Sequence, residues 1–116
     1  MAVIPNTGTK TSSLFGQSSM ITWSALATGD TGRPVQDCGL SDRSVQFTGA
    51  FGGATVVLEG SNDGTNWVTL TDPAGVALSF TSAGLKQVLQ ITRYTRPNVS
   101  GGAAVAINCN LLVVGK

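Results

Sequence analysis

Histidine is missing from all 116 residues, and with it the commonest general base and the commonest metal ligand of proteins. Charge is scarce as well. Asp, Glu, Lys and Arg make up 11% of the chain, less than half the roughly 25% of an ordinary soluble domain. The 7 basic residues are scattered among 6 acidic ones, for a net charge of +1, which leaves no electrostatic footprint for nucleic acid. No stretch approaches the ~18 consecutive apolar residues that span a bilayer as a helix. The only cysteines, Cys38 and Cys109, stand far apart without metal-ligand spacing. What is abundant is Gly, Ser and Thr, about a third of the chain, beside 41% hydrophobic residues, a share that argues against global disorder. The length suffices for one domain with one modest core. A surface of Thr, Ser, Asn, Gln and Gly with so little charge suits a protein packed against neighbours better than a monomer kept soluble by charge.

The segment Met1 to Lys10 has no basic stretch followed by an apolar core, the pattern of a secretory signal. The expectation is therefore synthesis in a cytoplasm, with both cysteines as thiols. Cys109 falls in the alternating run Val105, Ile107, Cys109, Leu111, Val113 and reads as a small buried hydrophobe. Cys38 sits in the turn-like Gln36-Asp37-Cys38-Gly39.

Residues 1–18 sustain no period of 2 or 3.6 and read as an extended N-terminal arm, with Ile4, Pro5, Leu14 and Phe15 as apolar anchors for a partner or for the body. From residue 19 to 116 the pattern is strand after strand. Ile21, Trp23, Ala25 and Ala27 alternate with Thr22, Ser24 and Leu26. Val45 and Phe47 alternate with Ser44, Gln46 and Thr48, and Thr55 to Glu59 follows with β-branched residues. Asp63-Gly64 between Thr55–Glu59 and Trp67–Leu70 is a hairpin signal. Val76, Leu78 and Phe80 alternate next, then Val88, Gln90 and Thr92, in a strand running on through Tyr94. Pro97 to Gly102 reads as a loop, and residues 103–114 as the longest strand. Seven or eight short strands at roughly 8–12-residue spacing predict an all-β fold, a single antiparallel β-sandwich behind an extended arm. No internal repeat of fixed period occurs.

Little in the chain suggests chemistry. Serines are plentiful, but there is no histidine to activate one and no G-x-S-x-G elbow. Asp30, Asp37, Asp42, Asp63 and Asp72 all lie in turn-like contexts, where Asp usually bonds its own backbone. Asn62, Asp63, Asn66 and Asp72 offer hard oxygen ligands for calcium, yet without the alternating pattern of a calcium loop, so a plain turn explains them. The expectation is a non-enzymatic protein with no cofactor and no bound metal. Trp67, Arg93, Tyr94 and Arg96 form a candidate exposed aromatic and basic patch; the alternation around Trp67 leaves both a core and a sugar-stacking role open.

Two segments carry a resemblance. Leu58-Glu59-Gly60-Ser61-Asn62-Asp63-Gly64-Thr65-Asn66-Trp67-Val68-Thr69-Leu70 looks like a strand-turn-strand of discoidin-type carbohydrate-binding sandwiches, and like hairpins in small virion proteins of tailed bacteriophages. Ile91-Thr92-Arg93-Tyr94-Thr95-Arg96-Pro97-Asn98-Val99-Ser100-Gly101-Gly102 resembles a strand and loop of the phage group. Discoidin-type domains are longer, usually secreted and commonly closed by a disulfide, which this chain does not match. The second resemblance points to the head decoration, or cement, proteins. It implies a jelly-roll-like sandwich that binds the outside of an expanded capsid, with the major capsid protein and copies of itself as partners, typically as a homotrimer. Neither nucleic acid nor membrane is an expected partner. A carbohydrate- or receptor-binding module and a tail or baseplate subunit are the alternative readings.

Overall fold

Val45 and Phe47 point one way from Ser44, Gln46 and Thr48, and the strand they form lies inside one of two packed sheets. The computed structural model of the chain describes residues 2–13, 16–36 and 42–114, apart from the side chains of 9–13, 16 and 17. Its strands are β1 (Val3–Ile4), β2 (Asn6–Ser13), β3 (Gly16–Leu26), β4 (Thr31–Gly32), β5 (Val35–Gln36), β6 (Asp42–Ala50), β7 (Thr55–Ser61), β8 (Val68–Thr69), β9 (Ser79–Phe80), β10 (Gly84–Val88), β11 (Tyr94–Ser100) and β12 (Ala106–Val114). A five-stranded sheet runs β10-β6-β12-β3-β2. A seven-stranded sheet runs β1-β4-β11-β7-β8, with β5 also on β11 and β9 also on β7. The fold is the all-β sandwich that the alternation predicts. Among the described residues every strand pair is antiparallel except β1 with β4.

The core lies between the sheets. Trp23, Leu26, Val45, Phe47, Ile107 and Cys109 from the five-stranded sheet meet Val56, Leu58 and Val99 from the other, all essentially without exposure. Phe47 and Phe80 pack as tilted rings with centroids 4.8 Å apart, an arrangement worth ~0.5–1.5 kcal/mol beyond the burial itself. Arg43, also buried, donates from Nη1 to Thr95 Oγ1 at 2.7 Å and from Nη2 to the Gln90 carbonyl, so it ties β6 to β11 across the sandwich.

Five local expectations change. The strict alternation of Ile21 through Ala27 breaks, because Trp23 and Leu26 both face the core while Ala25 is exposed. A bulge causes this: Trp23 pairs with Cys109 and Leu26 with Ile107, leaving Ser24 and Ala25 opposite Asn108 alone. Ala25 takes φ 57°, and its N–H is held by Asn108 Oδ1 at 3.0 Å.

The segment Pro97 to Gly102, read as a loop, begins inside β11, with Pro97 buried and paired to Leu58. Val99 exchanges hydrogen bonds with Gly29 and Asp30 on the β4 side of β11, and by strand parity the nitrogen of Pro97 faces that side too. There the neighbouring strand is interrupted. β5 pairs at Tyr94 and Thr95 and β4 at Asn98, so the missing donor of Pro97 breaks no ladder bond.

The run Val88 to Tyr94 is likewise divided. β10 ends at Val88 and β11 starts at Tyr94, with Leu89 and Ile91 exposed between them. The final strand starts at Ala106, after a loop from Gly101 to Val105.

Residues 1–18, read as an arm, contribute backbone to both sheets. Val3–Ile4 lies parallel to Thr31–Gly32, and Asn6–Ser13 pairs with Gly16–Trp23. Buried Asp30 fastens the start of the chain: Oδ1 accepts from the Ala2 N–H at 3.1 Å and Oδ2 from the Ala27 N–H at 2.9 Å. Ile4 is half-buried against the core and Pro5 is exposed. Leu14, Phe15, Asp37 and Cys38 lie outside the described residues.

Candidate functional site on the outer face of the seven-stranded sheet

Period-two alternation on β11 sends Thr95, Pro97 and Val99 inward and leaves Tyr94, Arg96, Asn98 and Ser100 on the outer face. β7 does the same with Thr55, Val57 and Glu59. The register sets Arg96 opposite Glu59 and Asn98 opposite Val57. Arg96 Nε donates to Glu59 Oε1 at 3.1 Å, and the other Glu59 oxygen accepts from Asn98 Nδ2 at 3.4 Å. The Arg96 guanidinium lies 4.0 Å from the centroid of the Trp67 ring, adding roughly 0.5–1 kcal/mol of cation–π attraction. Arg96 is therefore held from two directions, and its charge is balanced by Glu59.

A second pair sits beside the first. Arg93 lies 5.3 Å from the Tyr94 ring centroid, while its backbone N–H donates to Asn62 Oδ1 at 3.0 Å. The β7–β8 hairpin loop packs on Tyr94 through Gly64, whose φ of 80° makes the turn and where an added Cβ would stand 3.4 Å from the tyrosine ring. The structure thus places Trp67, Arg93, Tyr94 and Arg96 as two arginine–aromatic pairs. Both aromatic residues are half-buried, and an arginine lies over each ring.

The loop itself is organised by Asp63. Its carboxylate accepts from Ser61 Oγ, from the N–H groups of Thr65 and Asn66, and from Asn66 Nδ2, all within 2.7–2.9 Å. These bonds, the backbone ones foremost, hold the Asp63 carboxyl well below the usual carboxylate range. The folded value lies under the unfolded one, so the stabilisation is complete above about pH 4 and is lost as pH falls toward the folded value. Asp63→Ala is expected to lower the melting temperature at neutral pH, with the gap to the parent protein narrowing below about pH 3. A gap independent of pH would show that the carboxylate does not organise this loop. In the turn after β8, Asp72 Oδ1 accepts from the N–H groups of Ala74 and Val76. Among the described residues no group of three or more His, Cys, Asp or Glu is placed to hold a metal.

Cys109 is fully buried on β12, and desolvation pushes its thiol far above the ordinary value. Mapped by mass spectrometry, Cys109 is expected to resist thiol reagents in native buffer and to react on denaturation. Labelling in the native state at the unfolded rate would mean that β12 opens freely.

Next to the Arg96–Glu59 pair the face is concave. A hollow of about 650 Å³ is walled by Ala2, Val3, Thr31, Arg96, Asn98 and Ser100, with the Gly29 backbone also lining it. Sequence reasoning found Arg96 but missed Glu59, Asn98 and Thr31. They meet only through the pairing of β4, β11 and β7, strands distant in the chain.

No protein family and no curated protein matches this sequence. Among solved structures, the SPBc2 prophage-derived protein YomS aligns with 90% of this chain and 100% of its own, at a TM-score of 0.67 and 10% identity. The two chains share a fold. A carbohydrate binding module from Cellvibrio mixtus lichenase 5A, solved with cellotriose, aligns with 96% of this chain and 86% of its own at 12% identity, but its TM-score of 0.28 carries no argument.

Proposed function

We propose that this chain is a non-enzymatic structural protein of a tailed-phage virion, which binds the outside of the capsid as a decoration protein and stabilises the expanded shell. The observation that carries the reading is the β2 edge. β2 runs for eight residues, Asn6-Thr7-Gly8-Thr9-Lys10-Thr11-Ser12-Ser13, and ends the five-stranded sheet, so among the described residues no strand covers its outer side. Free-standing proteins blunt such edges with short strands, several charges, prolines or bulges, because an open edge is a template for another chain. β2 has a single charged residue and none of the other devices. Its backbone suits addition of a strand from the capsid or from a neighbouring copy, with copies associating as a homotrimer. The fold shared with a prophage-derived protein supports the phage setting.

The mechanism is thermodynamic. A protein that binds the expanded shell and not its precursor stabilises that shell by mass action, and bridging several capsid subunits multiplies a modest affinity per contact. With 11% charged residues, attachment is expected to depend weakly on salt. Co-sedimentation with expanded, undecorated heads tests the reading. Saturable binding at a fixed ratio to the major capsid protein is the expected result; a folded protein that stays in the supernatant overturns it and moves the assignment to the tail. Gly8 is exposed and a Cβ there meets nothing within 4 Å, so Gly8→Lys adds a charge to the edge without disturbing the fold. It is expected to weaken head binding by about ten-fold or more at unchanged melting temperature.

A further inference from the structure

The hollow beside Arg96 has a chemistry of its own. Its volume of about 650 Å³ lies within the ~300–1,000 Å³ of small-ligand clefts, and it opens to solvent. Arg96 engages Glu59 through Nε, leaving both Nη groups for a ligand. Asn98 uses Nδ2, leaving Oδ1 as an acceptor. The hydroxyls of Thr31 and Ser100, also on the wall, make no hydrogen bond among the described residues. Donors, an acceptor and two hydroxyls that serve as either therefore converge on one concave surface. Val3, 62% exposed, and Ala2 supply an apolar rim.

Charge narrows the ligand class. Glu59 balances Arg96, so the hollow has no excess positive field to draw in an anion. A ligand matching this surface is uncharged, rich in hydroxyls that both donate and accept, and apolar along one face of its ring. We propose that the hollow is a binding site for a neutral saccharide, with Arg96, Asn98, Thr31 and Ser100 bonding its hydroxyls and the Ala2–Val3 rim facing its C–H groups. Trp67 and Glu59 hold the guanidinium in place before the ligand arrives, which reduces the ordering cost of binding. This site lies on the sheet opposite to the β2 edge and does not depend on capsid attachment.

The two tryptophans make the test direct. Trp23 is fully buried in the core, whereas half-buried Trp67 underlies Arg96, so a ligand on Arg96 perturbs Trp67 emission over a constant Trp23 background. The full chain is applied to an array of neutral gluco-, galacto- and manno-oligosaccharides beside sialylated and sulfated ones, and the strongest neutral binder is titrated by fluorescence. Binding of a neutral oligosaccharide with a Trp67 response is the expected result. Asn98→Ala and Thr31→Val should each weaken it by about ten-fold, the effect of losing one good hydrogen bond, while Leu85→Ser on the opposite sheet leaves it unchanged. Melting temperatures equal to the parent establish that the variants are folded. Three results overturn the proposal: no neutral saccharide bound at millimolar concentration, preference for the anionic glycans, or undiminished binding by Asn98→Ala. Loss of head co-sedimentation by Asn98→Ala, with saccharide binding intact, would make the hollow a protein contact instead.

Discussion

Trp23→Ala is expected to destabilise the fold by about 3–5 kcal/mol, the range for removing a large aromatic residue from a packed core. Trp23 has no exposed surface, and its indole Nε1–H donates to the Arg33 carbonyl at 3.0 Å. Truncation removes the ring's apolar burial, leaves a cavity between β3 and β4, and takes one of two donors from that carbonyl, which keeps Asn6 Nδ2 at 3.0 Å. Urea unfolding reads the result as a lower midpoint at unchanged slope. A loss below about 1 kcal/mol would mean that the surrounding strands collapse into the space, against the rigid packing seen here.

Gly32→Val attacks the same junction by overfilling it. A Cβ at Gly32 would stand 2.5 Å from Pro97 Cδ and 2.6 Å from Trp23 Nε1, and both of those residues are fully buried. Neither ring has room to retreat, so β4 itself must move. The expected loss is about 3 kcal/mol, the upper end for overpacking. The displacement should spread along β4 to its parallel partner β1 and to Thr31 at the hollow. Hydrogen exchange at Thr31 and Arg33, whose N–H groups donate to the Ala2 and Ile4 carbonyls, is expected to accelerate beyond what global destabilisation explains. Because Trp23 and Gly32 share one volume, the Trp23→Ala, Gly32→Val double variant should lose less than the sum of the two. Full additivity would show that the Pro97 contact alone limits Gly32.

The β6 and β12 cores were legible because a period of two betrays their inward faces without any knowledge of the partner strand, and β7 because its β-branched run favours a pleated surface. The Asp63-Gly64 hairpin was legible for a local reason: a positive φ at Gly64 and the carboxylate bonds of Asp63 both arise within six residues. β2 was not. Its run of Thr, Ser and Gly has no apolar face, so pattern reading assigned it to an arm, although it pairs with β3 along its whole length. Pro97 misled in the opposite direction, since proline marks a strand end unless its nitrogen meets a gap, and the gap between β5 and β4 is invisible from the neighbours of Pro97 in the chain.

The functional face divides along the same line. Trp67, Arg93, Tyr94 and Arg96 stood out in the sequence because aromatic and basic residues are rare in this chain. That Arg96 would lie on Trp67 and be neutralised by Glu59 follows only from the β11–β7 register, which joins residues 37 apart. The sequence by itself determined the all-β class, the main inward faces and the scarcity of charge, since these are properties of local alternation and composition. The tertiary structure decided which strands are neighbours, where the bulge at Ser24–Ala25 reverses a face, and which side chains converge on the hollow. Those outcomes depend on contacts between distant segments, and their free energy comes from how the two sheets pack as a whole, not from the preferences of any one strand.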